Sequence, residues 1–151
     1  MTVEIRRAEP ADYSRVIAVL DEWWGGRPMR EMLPRLFFVH FADTSFVAER
    51  DGALSGFLVG FLSQSEPDEA YVHFVGVNPD VRGTGLGREL YERFFAVARA
   101  HGRGRVSCVT SPANTGSLAF HRAIGFAAGP PRAGYDGPGE DRVVLTRSLA
   151  R

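Results

Sequence analysis

The chain has 151 residues, 44% of them apolar, and carries 18 basic and 18 acidic side chains for a formal net charge of +0; every one of the 18 basic residues is arginine. The absence of lysine excludes a Schiff-base mechanism and a P-loop, whose lysine reaches the nucleotide phosphates. The neutral balance argues against a nucleic-acid partner. No apolar run approaches the ~20 residues of a membrane span, and the single cysteine, Cys108, leaves no disulfide framework and no thiolate metal site.

Such a composition suits one globular domain over residues 1–151, with a cytoplasmic setting, no membrane partner and no metal expected. Met1 to Arg7 is charged and alternating rather than signal-like, and Val3 and Ile5 read as an edge strand. Pro10 fits the first position of a helix whose apolar face is Tyr13, Val16, Ile17 and Leu20 and which ends near Trp23-Trp24-Gly25-Gly26. A second helical stretch carries Met29, Leu33, Leu36, Phe37 and His40, with a break expected at Pro34. Ser45 to Arg50 and Ala53 to Leu62 form a hairpin about Asp51-Gly52. Glu69 to Val77 is the next strand.

Gly85 to His101 is the strongest helix. Leu86, Leu90, Phe94, Val97 and Ala98 form its core stripe, Glu89 and Arg93 an i,i+4 pair, and Gly102 its terminator. A strand over Arg105 to Thr110 and a short helix over Asn114 to Ile124 follow. Ala127 to Glu140 holds seven Gly or Pro in fourteen residues and reads as a long loop before a last strand, Arg142 to Leu149. The order predicts an α/β (α+β) domain, a mixed sheet with helices on both faces, without repeats or linkers.

The segment Val77-Asn78-Pro79-Asp80-Val81-Arg82-Gly83-Thr84-Gly85-Leu86-Gly87 leads from a strand through glycines into that helix. Glycines allow close backbone approach, and a helix start offers unpaired N–H groups and a positive dipole end; together they make a phosphate cradle. The dinucleotide fingerprint G-x-G-x-x-G fails, because Arg88 and Leu90 stand where the third glycine is required. Six arginines between Arg82 and Arg105 (82, 88, 93, 99, 103 and 105) read either as a solvated face or as an anion-binding one.

The loop resembles that of the GNAT N-acetyltransferase superfamily, which reads Gln/Arg-x-x-Gly-x-Gly/Ala after a strand ending Val-x-Pro; here it is Arg82-x-x-Gly85-x-Gly87 after Val77-x-Pro79. A second signature appears as Asn114-x-x-Ser117-x-x-Phe120-His121-x-x-x-Gly125-Phe126, in the family's order and separation. The resemblance implies a mostly antiparallel sheet of six to seven strands, splayed between the fourth and fifth, with about four helices. It implies acetyl-CoA as donor. Pantetheine would pair with the strand backbone at Val75, Gly76 and Val77. The pyrophosphate would lie on the amides from Arg82 through Gly83, Thr84, Gly85, Leu86 and Gly87 to Arg88. Asn114, Ser117, Phe120 and His121 would line the same donor. With no lysine, the chain offers no ε-amine of its own to acetylate.

Transfer to an amine needs a neutral nucleophile, donors for the oxyanion and a proton for the leaving thiolate. Strand alternation puts Glu69, Tyr71, His73 and Val75 on one face. The resemblance directs attention to His73 and Tyr71. Serotonin N-acetyltransferases carry a base histidine nine residues before the loop's Gln/Arg, which counts back from Arg82 to His73. Histone acetyltransferases of the family carry a base glutamate eleven before it, which counts to Tyr71. His73 is thus the candidate base, through a water relay, with Glu69 second; the competing reading is a half-buried histidine satisfied by a backbone group. The family's general acid is the Tyr of the second signature. Here His121 replaces it, with an unperturbed pKa near 6.5, and Tyr135 is the rival acid. The oxyanion donor implied by the family is the Val75 N–H, and Cys108 reads as a small buried hydrophobe.

The acceptor cleft implied by the family is built from Trp23 to Arg30 and Ala127 to Asp141, with Trp23, Trp24, Arg27, Tyr71, His73 and Tyr135 as contacts. Without an acidic pocket, the acceptor expected is the primary amine of a small molecule or peptide. The alternative is a non-catalytic acyl-CoA-binding regulatory module. Many family members are homodimers, and Arg142 to Leu149 or the Phe37, Phe38, Phe41 helix are the faces offered for one.

Overall fold

The computed structural model describes residues 3–149; Met1 with its α-amine, Thr2, Ala150 and Arg151 lie outside the described residues. The elements in order are β1 (Val3–Arg7), α1 (Asp12–Trp23), a 3-10 turn at Arg30–Met32, α2 (Leu36–Val39), β2 (Phe46–Arg50), β3 (Ala53–Leu62) and β4 (Glu69–Val77). Then come α3 (Leu86–Ala100), β5 (Arg105–Thr110), α4 (Thr115–Ala123), β6 (Ala127–Ala128) and β7 (Val143–Ser148). The seven strands form one mixed sheet in the order β1-β2-β3-β4-β5-β7-β6. The β1–β2, β2–β3, β5–β7 and β6–β7 pairs are antiparallel. β4 and β5 run parallel and pair only over Glu69↔Arg105, Ala70↔Val106 and Tyr71↔Ser107, the expected splay. Among the described residues no helix is long and apolar enough to cross a membrane.

The chain divides into two compact units, Met1–Phe61 with Val72–Val97, and Leu62–Tyr71 with Ala98–Arg151. In the first, alternation along β3 assigns the two sheet faces. Phe57 and Val59 join Val16, Leu20, Leu33, Phe38 and Val47 in one buried cluster under α1 and α2. Gly56 faces the other way, where Leu86 and Leu90 of α3 close over it. The turn into β3 has Asp51 at φ 54° and Gly52 at φ 80°, the left-handed pair that a type I′ hairpin needs. Pro34 separates the 3-10 turn from a four-residue α2, since its ring fixes φ and removes an N–H donor. α1 opens at Asp12, two residues after Pro10, so Pro10 precedes the helix rather than starting it.

Asp12 does more than face a helix dipole. Its carboxylate, 4% exposed, takes both guanidinium ends of Arg6 at 2.9 Å and the Glu9 amide at 2.8 Å, while Glu49 bridges Arg6 and Arg15. Burial works against the ionised form, but the Arg6 and Glu9 hydrogen bonds outweigh it and hold the carboxyl below its ordinary range. A depressed carboxyl stabilises the fold above its unfolded pKa, and that stability is lost as pH falls through the folded value. Asp12→Asn is therefore expected to cost about 2–3 kcal/mol at neutral pH. Urea titrations should show the gap from wild type closing below pH ~4.

In the second unit, Arg103 donates to the carbonyls of Ser63, Glu66 and Glu69, and Arg105 pairs with Glu66, Asp68 and Glu69. Both guanidiniums thus pin the loop before β4, which answers the two-way reading of the basic segment at these positions: they are structural. Arg93 likewise donates to the Ile5 carbonyl at 3.3 Å, and the Glu89–Arg93 pair does not form among the described ion pairs. Tyr91 and Phe95 join the α3 core beyond the expected stripe.

Ala127 to Glu140 is not one open loop. β6 adds to β7, and Arg132 bridges Arg142. β7 lies between β5 and β6 rather than at the sheet edge, and Phe37 and Phe38 are buried in the core.

Candidate active site

β4 alternates as the sequence requires. Ala70, Val72, Phe74 and Gly76 are buried, whereas Glu69, Tyr71, His73, Val75 and Val77 form the half-buried face. Gly76 is needed on the buried side, because a Cβ there would lie 2.6 Å from the Phe57 ring and 2.9 Å from that of Trp24.

Past β4, Asn78 caps a 3-10 turn at Pro79–Val81 by accepting from the Asp80 amide, and the Thr84 hydroxyl donates to the Val81 carbonyl at 2.6 Å. Gly83 and Gly85 sit at φ 81° and 88°, with nothing within 4 Å of where a Cβ would be. Gly85 O accepts the Glu89 amide, the first turn of α3. The open space at these left-handed glycines, ahead of a helix start, is of the kind the diphosphate of a CoA thioester would fit.

Arg82 is turned to another task. It donates to the Trp23 carbonyl at 2.9 Å and to Val77 O at 3.3 Å, fastening the loop to the end of α1. The Arg82 guanidinium is thus engaged by two backbone acceptors.

His73 Nε2 lies 2.6 Å from the Met32 carbonyl, and its ring stacks on Phe37 at 4.5 Å and 11°. A carbonyl only accepts, so Nε2 carries the proton and the lone pair resides on Nδ1. The backbone-satisfied histidine and the candidate base are therefore compatible in one side chain. Trp23 is buried and stacks on Phe57, which removes it from the acceptor contacts; Trp24 is partly buried with its edge against Phe74. Arg27 is exposed beyond the Gly25-Gly26 turn.

In the second unit, the Glu69 carboxylate is held by Arg105 at 2.8 Å. Tyr71 is pushed upward by burial, then by the charges of Cys108, Tyr135, Asp136 and Glu69, so it stays a protonated donor. Tyr135 is 45% exposed, with the Arg132 guanidinium 5.9 Å from its ring centre.

α4 is capped by Asn114, whose side chain accepts from the Ser117 amide. His121 is 5% exposed, hydrogen-bonds through Nδ1 to the Ser117 carbonyl at 2.7 Å and packs edge-on to Phe120 and Phe126. Burial pushes its imidazole below the ordinary value, with the Ser117 bond opposing. The expected partly protonated acid is corrected to a neutral core histidine. Cys108 is buried in β5 opposite Leu145, as a small hydrophobe would be.

The model of the acetyltransferase (GNAT) family matches residues 4–126, and the chain belongs to that family. It is 36% identical over 84 residues to the L-2,4-diaminobutyric acid acetyltransferase of Nocardia farcinica, covering 56% of this chain and 44% of that protein. It is 33% identical over 108 residues to the N-alpha-acetyltransferase RimI of Mycobacterium tuberculosis, covering 68% of this chain and 65% of that one. The chain thus spans less than two thirds of either relative. In fold it is similar to the diaminobutyrate acetyltransferase of Paenibacillus lautus in complex with its substrate and coenzyme A, with TM-score 0.77, 23% identity and coverage of 97% and 95%. The ribosomal-protein-S18-alanine N-acetyltransferase of Escherichia coli matches at TM-score 0.75 and 20% identity, over 99% of this chain and 96% of that one.

Proposed function

We propose that this chain is an acetyl-CoA-dependent N-acetyltransferase that moves the acetyl group to a primary amine of a small molecule or peptide, by direct attack in a ternary complex. The observation that carries the reading is the loop at Gly83 and Gly85, open and left-handed, placed directly before the start of α3. Family membership and the acetyltransferase names of its relatives support the same chemistry.

An alkyl amine with a pKa of roughly 10.4 reaches the site as ammonium and must lose a proton to attack. His73 accepts it at Nδ1 through a water. The amine nitrogen then bonds to the acetyl carbon, the Val75 N–H stabilises the oxyanion, and the C–S bond breaks. The departing thiolate takes the second proton that the nitrogen must lose to become an amide, and His73 returns the first to solvent. The cytoplasm is the setting this reading implies.

Incubation with acetyl-CoA and a panel of diamino acids, arylalkylamines and peptide N-termini should release free CoA thiol and give products heavier by one acetyl group. Saturable acetyl-CoA binding with no thiol release across the panel would overturn the reading in favour of a CoA-binding regulatory module.

A further inference from the structure

We propose that the Met32 carbonyl and the Phe37 ring act together as a tautomer lock on His73, holding its proton on Nε2 and presenting Nδ1 as the sole lone pair. The two contacts restrict different motions. The Phe37 stack, at 4.5 Å and 11°, fixes the plane of the imidazole. The Met32 carbonyl, 2.6 Å from Nε2, fixes which of the two flipped orientations the ring takes in that plane, because a half-turn about Cβ–Cγ would set a C–H against the oxygen. The support is itself rigid. Phe37 is 6% exposed and packs against Phe41 and Phe61 at ring distances of 5.4 and 6.3 Å. A proton acceptor works from one atom in one direction, so the tautomer decides whether the histidine is aimed or idle.

Both contacts come from the segment after α1. Met32 closes the 3-10 turn and Phe37 lies in α2, whereas His73 sits about forty residues later on β4. The connection between the first helices therefore orients the imidazole as well as shaping that end of the unit. Met32 and Phe37 are positioning residues; neither touches a reacting atom. The lock's value to catalysis rests on the reading of His73 as base, but the lock itself does not.

The test is a long-range proton–nitrogen correlation spectrum of the intact, nitrogen-15-labelled chain at neutral pH, with His73 assigned by its disappearance in His73→Gln. The expected pattern is a protonated Nε2 and a bare Nδ1. Phe37→Leu should give mixed tautomers and lower kcat about tenfold with the KM for acetyl-CoA unchanged. Phe37→Tyr, which keeps the ring, should retain both the spectrum and the turnover. A proton on Nδ1 in the wild-type spectrum overturns the lock, as does a Phe37→Leu variant with wild-type spectrum and kcat. If Phe37→Leu fails to fold, the wild-type spectrum alone decides. Full turnover in His73→Gln beside a protonated Nε2 in the wild type would remove the base and leave the lock standing.

Discussion

Replacing His73 with alanine is expected to lower kcat/KM by about 10²–10⁴-fold and to flatten the acid limb of its pH profile. The proton of the acceptor must leave before the nitrogen can bond to the acetyl carbon. Among the groups on the β4 face, Glu69 is tied up in its ion pair with Arg105 and Tyr71 keeps its proton, which leaves His73 with the Nδ1 lone pair. Protonating that lone pair disables it, so activity should fall with decreasing pH only while the imidazole is present. His73→Gln sharpens the result. An amide N–H can still reach the Met32 carbonyl and preserve packing, yet the side chain is no base. A loss that Gln rescues would make His73 a structural contact only. An unchanged pH profile in His73→Ala would transfer the proton to the acceptor's own equilibrium in water.

Local chemistry explains why much of this was legible in the sequence. β3, β4 and β5 keep the bounds read from alternation and turn residues, because Asp51-Gly52 and Asn78-Pro79 end strands by their own backbone preferences. The glycine loop and the Asn114 cap are also local, a few residues satisfying one another. What the sequence hid depends on partners far along the chain. Nothing near Arg82 announces the Trp23 carbonyl, and nothing near His73 announces Met32. A run of phenylalanines in a short helix looks like a surface for a partner until the sheet beneath claims Phe37 and Phe38. His121 occupies the signature's tyrosine position, but its neighbours Phe120 and Phe126 and the Ser117 carbonyl turn it into core.

The second large effect is expected at Gly85, and its meaning depends on a contrast with Gly76. A methyl group at Gly76 would meet Phe57 at 2.6 Å and Trp24 at 2.9 Å, so Gly76→Ala should damage the fold itself. A methyl group at Gly85 meets nothing within 4 Å, leaving only the positive φ of 88° to object, a cost of about 1–2 kcal/mol. Gly85→Ala should therefore stay folded, with a modest drop in Tm. Its effect should appear when a diphosphate must approach the backbone. The KM for acetyl-CoA is expected to rise by about tenfold or more, some 1.4 kcal/mol of lost binding per factor of ten, with kcat retained at saturating donor. The KM for the amine should remain unchanged, because in the proposed site the added methyl would meet the donor and not the amine. Steady-state kinetics in both substrates, beside thermal melts of the two glycine variants, separates the cases. If Gly85→Ala binds acetyl-CoA as the wild type does, the loop is a turn that only reverses the chain, and the donor site must be sought elsewhere in the protein.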